Sequence, residues 1–211
     1  MTVLPMFPLG SVLYPTMPLG LRVFEPRYLQ MMLEMLDRQE TEFGVVLIER
    51  GFEVGGGDHR FDHGTVARIQ TLQPGPDSLE MLAVGQDRIV VEEWLEEVPY
   101  PKARVRRLEP LGWDDAWRPV LETTERTVRR CLAEASEFTD LGYPADIELD
   151  DDPRSRCWQL AGIIPAGPLD AYRLLRADNL RALCEEVAEQ ATAGVELLRI
   201  AAAEPPEPPE G

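Results

Sequence analysis

Lysine is almost missing from this chain. Of its 21 cationic residues only Lys102 is a lysine, and the other 20 are arginines. A mechanism built on a catalytic lysine must therefore use Lys102 or be discarded. Histidine is nearly as scarce, with His59 and His63 alone. The three cysteines, Cys131, Cys157 and Cys184, lie far apart and form no C-x-x-C pair. Scattered thiols of odd number point to buried, reduced cysteines and a cytoplasmic location. Long apolar runs are lacking as well. Pro5, Pro8, Pro15 and Pro18 interrupt the N-terminal apolar stretch, and no basic segment precedes it. A signal peptide and a membrane span are both excluded on that reading.

Positive charge is outnumbered throughout. The 211 residues carry 38 Asp+Glu against 21 Lys+Arg, a net charge of −17. Nucleic acid and anionic lipid, themselves negative, are disfavoured as partners. Residues 1–110 hold 11 cationic and 17 acidic side chains, and residues 111–211 hold 10 and 21. The second half is the more acidic.

Motifs of known chemistry are also few. The only glycine cluster, Gly55-Gly56-Gly57, runs into Asp58 with no lysine, so it is no phosphate loop. The serines lack a G-x-S-x-G setting. No cysteine has a flanking histidine that would mark a reactive thiolate. Asp58, His59, Asp62 and His63 offer four metal-type ligands in six residues, but no Cys or third His stands near them. The expectation is a mobile loop with no metal and no cofactor.

What is present is enough apolar material, 44%, to build a core. The first 110 residues read as seven or eight short strands. These are Val3–Phe7, Ser11–Tyr14, Gly20–Phe24, Phe43–Arg50, Thr65–Leu72, Leu79–Val84, Arg88–Leu95 and Lys102–Leu108. That many strands in so short a stretch predicts a closed or nearly closed barrel. One helix interrupts them at Pro26–Asp37. Tyr28, Met31, Met32, Met35 and Leu36 recur on it at three- and four-residue spacing and predict a core-facing stripe. Glu92 and Glu93 precede Lys102, Arg104 and Arg106 in a pattern that predicts adjacent strands with opposite charges facing.

From Trp113 the period becomes helical. Trp117, Val120, Leu121, Thr124, Val128, Cys131, Leu132 and Ala135 mark one long helix, capped by Asp114 or Asp115. Helices follow at Arg154–Gly162, Leu169–Arg176 and about Asp178–Ala202. The tail 204–211 is Pro/Glu-rich and is expected to be disordered or extended. The division is thus 1–110 for the strands, 111–203 for the helices and 204–211 for the tail.

Several segments carry a family resemblance. Leu4-Pro5-Met6-Phe7-Pro8-Leu9, Leu13-Tyr14-Pro15 and Pro18-Leu19 resemble the opening of the Lon protease N-terminal substrate-binding domain. Leu21-Arg22-Val23-Phe24-Glu25-Pro26-Arg27-Tyr28 is similar to the motif of stand-alone bacterial proteins built on that domain. Phe43-Gly44-Val45-Val46, His63 to Ile69 and Gly85-Gln86-Asp87-Arg88-Ile89 match its later strands in order. The resemblance implies an α+β fold, with a PUA-like six-stranded pseudo-barrel followed by a helical bundle. It implies substrate recognition without the ATPase and Ser–Lys protease domains of full Lon proteases.

The function expected is therefore a non-catalytic protein- or peptide-binding module in protein quality control. Its partners would be unfolded or client polypeptides and a protease or chaperone, and an apolar helical surface is compatible with a homodimer. Phe24, Tyr28 and Met31, or the exposed side of Phe7–Tyr14, are the candidate contact residues, in a groove between barrel and helices, although each is expected to be core first. Glu25 and Arg27 are expected to form an internal ion pair. The alternative is a small-ligand protein or hydrolase with a pocket at that junction.

Overall fold

The computed structural model describes residues 1–50 and 59–203. Its elements, in chain order, are β1 (Thr2–Leu9), β2 (Pro18–Val23), α1 (Pro26–Asp37), β3 (Glu42–Arg50), β4 (His59–Pro74), β5 (Leu79–Trp94) and β6 (Lys102–Arg107). A 3₁₀ turn (Asp115–Trp117) then leads into α2 (Arg118–Ala135), α3 (Pro153–Ile163), α4 (Pro168–Leu175) and α5 (Leu180–Ala203). No helix among the described residues is long and apolar enough to cross a membrane. The chain divides into two compact units. One comprises Met1–Pro110 with Ala171–Arg176; the other comprises Leu111–Asp170 and the chain from Ala177.

In the sheet unit the strand order is β2-β5-β4-β3-β1-β6, and a β5–β6 pairing joins the far strand back to β5. Five strands therefore form a ring, with β2 outside it. The β1–β3 pair is parallel and the others are antiparallel. Leu4, Met6, Val46, Val66, Ile89, Ala103 and Val105 fill the ring with buried apolar side chains. β3 is buried on both faces from Phe43 to Leu47, as its unbroken apolar run predicts.

Three sequence readings need correction. Ser11–Tyr14 is not a strand, because its backbone turns toward β5: Thr16 N–H donates to Gly85 O at 2.8 Å. The two strands expected at 79–84 and 88–95 are one, β5, whose N-terminal half pairs with β2 and C-terminal half with β6. The separation of helices into 111–203 also shifts. Ala171–Arg176 packs with the sheet, where Tyr14 Oη donates to Ala171 O at 2.9 Å and Arg88 Nη1 to Leu175 O at 2.9 Å. The Gly85 to Arg88 segment of β5 is thereby tied to its surroundings through Arg88. A Cβ at Gly85 would collide with the Tyr14 carbonyl, and Arg88 is buried with its charge on a carbonyl.

The charge pairing across β5 and β6 is as read from sequence. Arg104 Nε reaches Glu93 at 3.0 Å and Arg106 Nε reaches Glu92 at 3.0 Å. Lys102 instead lies 4.4 Å over the Tyr100 ring.

In the helical unit α2 and α5 present the stripes that the periodicity predicts. Leu121, Thr124, Val128, Cys131, Leu132 and Ala135 are buried on α2, and Leu180, Leu183, Cys184, Val187, Ala191 and Val195 on α5. Asp114 caps the 3₁₀ turn by accepting from Ala116 N–H, and α2 begins one turn later with proline in its first turn. Asp152 caps α3 by accepting from Ser155 N–H at 3.1 Å.

Candidate polypeptide-binding surface

The strand-to-helix junction of the sheet unit is fixed by charge. Glu25 occupies the cap position of α1 in extended conformation, and its side chain makes no capping bond. It accepts from Arg27 Nε at 3.2 Å instead, the internal ion pair expected from the motif. Arg27 also donates to Glu97 at 2.8 Å, and Arg60 donates to the other Glu97 oxygen at 3.0 Å. The Arg27 guanidinium lies 4.6 Å over the Tyr28 ring, and that of Arg60 lies 4.5 Å over Trp94. Four charges and two aromatic faces thus hold the start of α1 against the sheet.

Helix α1 has an inner face of Tyr28, Met31, Met32 and Met35, all buried. Tyr28 stacks on Phe7 with centroids 4.1 Å apart and planes at 14°. Two of the three residues expected to touch a peptide, Tyr28 and Met31, are therefore core. Phe24 is not: 54% of it is exposed. The outer face of α1 adds Leu33 at 58% and Leu36 at 55%. Leu36 belongs to the outer face, not to the inner stripe where its spacing placed it. Four residues beyond Met32 puts it at the edge of the inner arc, and the helix is rotated so that Met32 and Met35 fill the core. Leu33 could have been found by asking which leucines the stripe leaves over.

The rim of this face is acidic. Tyr100 Oη donates to Glu34 at 2.7 Å, and that bond, more than the nearby Arg38 and Lys102 charges, holds the Glu34 carboxyl below its usual range. Across β2, β5 and β4 lies a shallow open depression of about 370 Å³. Gly20, Arg22, Thr71, Glu80 and the half-exposed Leu82 line it.

The candidate chemistry elsewhere is tied up in structure. Asp58 and the His59 side chain lie outside the described residues. Asp62 and His63 meet, with His63 Nδ1 2.8 Å from Asp62 Oδ1, but the same oxygen accepts from Tyr172 Oη at 2.7 Å. Burial works against the Asp62 charge, and the bonds from His63 and Tyr172 outweigh it, so its carboxyl stays below the usual range. No cluster of three His, Cys, Asp or Glu converges among the described residues. Cys157 and Cys184 touch, Sγ to Sγ 3.2 Å, in the helical core. The bond between the thiols and their burial push Cys157 far up, and burial also raises Cys131. Both are held as neutral thiols, not nucleophiles.

The helical unit has one larger groove, about 950 Å³, between α2 and α5. Its floor is Cys131, Ala188 and Val195. Its charged rim is self-paired, with Arg199 bridging Glu134 at 3.2 Å and Glu196 at 2.8 Å.

The comparisons agree with this architecture. Residues 3–192 match the family model described as the ATP-dependent protease La (LON) substrate-binding domain. Lon protease 2 of Herpetosiphon aurantiacus is 29% identical over 157 residues, which covers 70% of this chain and 18% of that protein. Lon protease 2 of Myxococcus xanthus is 36% identical over 110 residues, 51% of this chain and 13% of that protein. The chain spans a quarter or less of the length of these curated relatives. Among solved structures, a Lon N-terminal domain protein from Xanthomonas campestris superposes with a TM-score of 0.65 at 25% identity, covering 90% of this chain and 98% of that one. The N-terminal domain of Mycobacterium avium complex Lon protease gives 0.64 at 10% identity with the same coverage, a likeness of fold alone.

Proposed function

We propose, from the premise that this chain belongs to the Lon protease substrate-binding domain family, that it recognises polypeptide clients and acts by binding rather than catalysis. The observation that carries the reading is the outward apolar set of the sheet unit: Phe24, Leu33, Leu36 and Leu82 all stand exposed. Large apolar side chains left in water on a fixed frame are available to an apolar partner. The frame here is rigid because the Glu25–Arg27–Glu97–Arg60 network and the Phe7–Tyr28 stack hold the junction. Among the described residues, Asp62, His63 and the Cys157 and Cys184 thiols are engaged in internal bonds, which supports binding over chemistry. Its place is as an adaptor or regulator in protein quality control, in the cytoplasm, delivering clients to a protease or chaperone.

The test is fluorescence anisotropy with labelled lysozyme, unfolded by reduction and carbamidomethylation, beside native lysozyme. Native lysozyme is equally basic, so it controls for simple attraction to a chain of charge −17. The unfolded probe is expected to bind and the native one not. The Phe24→Ser/Leu36→Ser variant is expected to bind the unfolded probe about tenfold more weakly. Equal binding of native and unfolded probes, or none of either, would overturn the reading.

A further inference from the structure

Strand β2 has a backbone edge that no described residue covers. It lies outside the five-stranded ring and is hydrogen-bonded to β5 alone. Its register with β5 pairs Pro18 with Val84 through Val23 with Leu79. One position earlier, Gly85 N–H donates to Met17 O at 2.9 Å. Backbone groups of successive residues point to opposite sides of a strand. Leu19, Leu21 and Val23 therefore turn theirs to β5, while Gly20 and Arg22 turn N–H and C=O outward. Pro18 adds a carbonyl only. Pro18, Gly20 and Arg22 are all exposed.

The side-chain side of this edge is equally open. A Cβ placed on Gly20 would meet nothing within 4 Å. Gly20 stands opposite Leu82 on β5, and Leu82 stands opposite Thr71 on β4. In a sheet, residues on one face touch across neighbouring strands. A strand added beside β2 could lay a large side chain across Gly20, where no side chain stands in the way, and reach the exposed Leu82. Glycine in a strand commonly marks such a close approach.

We infer that β2 is a docking edge that takes an extended stretch of a client polypeptide as an additional strand, with an apolar side chain seated over Gly20 against Leu82. This rests on the client-binding reading above and specifies how the client is held. Charge selects the occupant. Two copies of a chain at −17 repel, so the edge is matched to another chain of neutral or basic character and not to a second β2. Pro18 and the short length of β2 act in the same direction, since both blunt edge-to-edge self-association. Backbone pairing supplies affinity without demanding a sequence, and the Gly20–Leu82 seat supplies preference for an apolar residue.

The test uses Gly20→Pro and Gly20→Ala. Proline at 20 removes an outward N–H and sets its ring on the free edge, and it takes nothing from the β5 ladder. Alanine keeps the N–H. Binding of unfolded carbamidomethylated lysozyme is expected to fall about tenfold or more in Gly20→Pro and to stay near wild type in Gly20→Ala. A synthetic peptide alternating valine and threonine between terminal lysines gives a second measurement on wild-type protein. Methylating its alternate backbone nitrogens is expected to abolish binding. Wild-type affinity in a folded Gly20→Pro, or equal affinity for methylated and unmethylated peptide, would overturn the docking edge and leave client binding standing. Should Gly20→Pro fail to fold by circular dichroism, the peptide pair decides alone. Absence of any binding of the unfolded probe by wild type would instead remove the client-binding reading, and the edge with it. A wild-type dimer in sedimentation that Gly20→Pro dissociates would overturn the assignment in favour of a second copy.

Discussion

The two units use arginine differently. In the sheet unit most ion pairs join residues distant in sequence, such as Arg27 with Glu97, Arg60 with Glu97, and Arg107 with Glu42 and Asp87, with Arg27–Glu25, Arg38–Glu34 and His63–Asp62 as the local exceptions. In the helical unit most join residues one turn apart on one helix, as Arg129 does with Glu125 and Arg181 with Glu185, with Arg199–Glu134 and Arg156–Glu125 as the reaching exceptions. A pair within one turn supports a helix wherever that helix lies. A pair between strands supports one register and no other. The sheet unit is thus specified by long-range polar contacts, and the helical unit by its apolar stripes. The proposed client-binding surface falls on the unit whose geometry is pinned more tightly. That suits a binding face, which loses affinity when its anchors wander.

Two buried threonines put this contrast to its strongest test. Thr65 Oγ1 donates to Leu13 O at 2.6 Å, and Thr124 Oγ1 donates to Cys184 O at 3.0 Å. Leu13 lies in the loop before β2, and no other donor among the described residues reaches its carbonyl. The Cys184 carbonyl sits inside α5, where the helix supplies its own donor. Thr65→Val should therefore cost about 1–3 kcal/mol and Thr124→Val only about 0.5–1.5 kcal/mol. Urea unfolding measures both. Equal costs would mean that the sheet unit's long-range polar bonds carry no special weight.

The next difference appears at alkaline pH. Tyr100 is pushed up to about 12 by burial and its bond to Glu34, and Tyr172 is pushed up to about 12 by burial and its bond to Asp62. Both tyrosines belong to the sheet unit. A tyrosine whose folded value is raised stabilises the fold fully below its unfolded value near 10 and loses that contribution as pH rises toward 12. The melting temperature is expected to fall through this window. In Tyr100→Phe/Tyr172→Phe the fall should be smaller, from a lower starting point. A double variant with an unchanged alkaline slope would show that these bonds do not report on the sheet unit. The partner carboxylates act at the other end. Glu34 and Asp62 are held low, so their contribution is present above their unfolded values and drains away as pH falls below about 4.

How much of this was legible in the sequence follows the same division. The helices read well because α2 and α5 bury one stripe each, which a period of 3.6 reveals. α3 reads poorly by period, since Cys157, Trp158, Leu160, Ala161 and Ile163 are buried on several sides. The strands were found, but β5 was cut in two. Its pairing with β4 shifts register between Gly85 and Arg88, and it changes partner midway from β2 to β6, so the alternation that marks a strand is interrupted there. The placement of Ala171–Arg176 with the sheet was invisible because it depends on Tyr14, Asp62 and Arg88, up to 157 residues away. Of Phe24, Tyr28 and Met31, Phe24 alone is exposed, at a junction where the motif ends a strand. The β2 edge was not legible, because an absent neighbour leaves no mark on local sequence.

The smallest expected effect is the most direct probe of the opening contrast. Arg107 bonds Asp87 at 2.8 Å and also holds Glu42, joining β6 to β5 and β3. Its partners drive its own affinity for a proton up, Asp87 first. Among the described residues Arg181 bonds only Glu185, one turn along α5, at 2.9 Å. Half-exposed pairs are weak, about 0.2–1 kcal/mol each, because water and salt screen them. Arg107→Ala removes two and frees a strand register, so it should cost about 1 kcal/mol, against about 0.3 kcal/mol for Arg181→Ala. Raising salt to about 1 M shortens the screening length to roughly 3 Å and should shrink the gap. A gap that survives high salt would trace the Arg107 effect to packing of its aliphatic stem against the strands, and the sheet unit would then be pinned by shape as much as by charge.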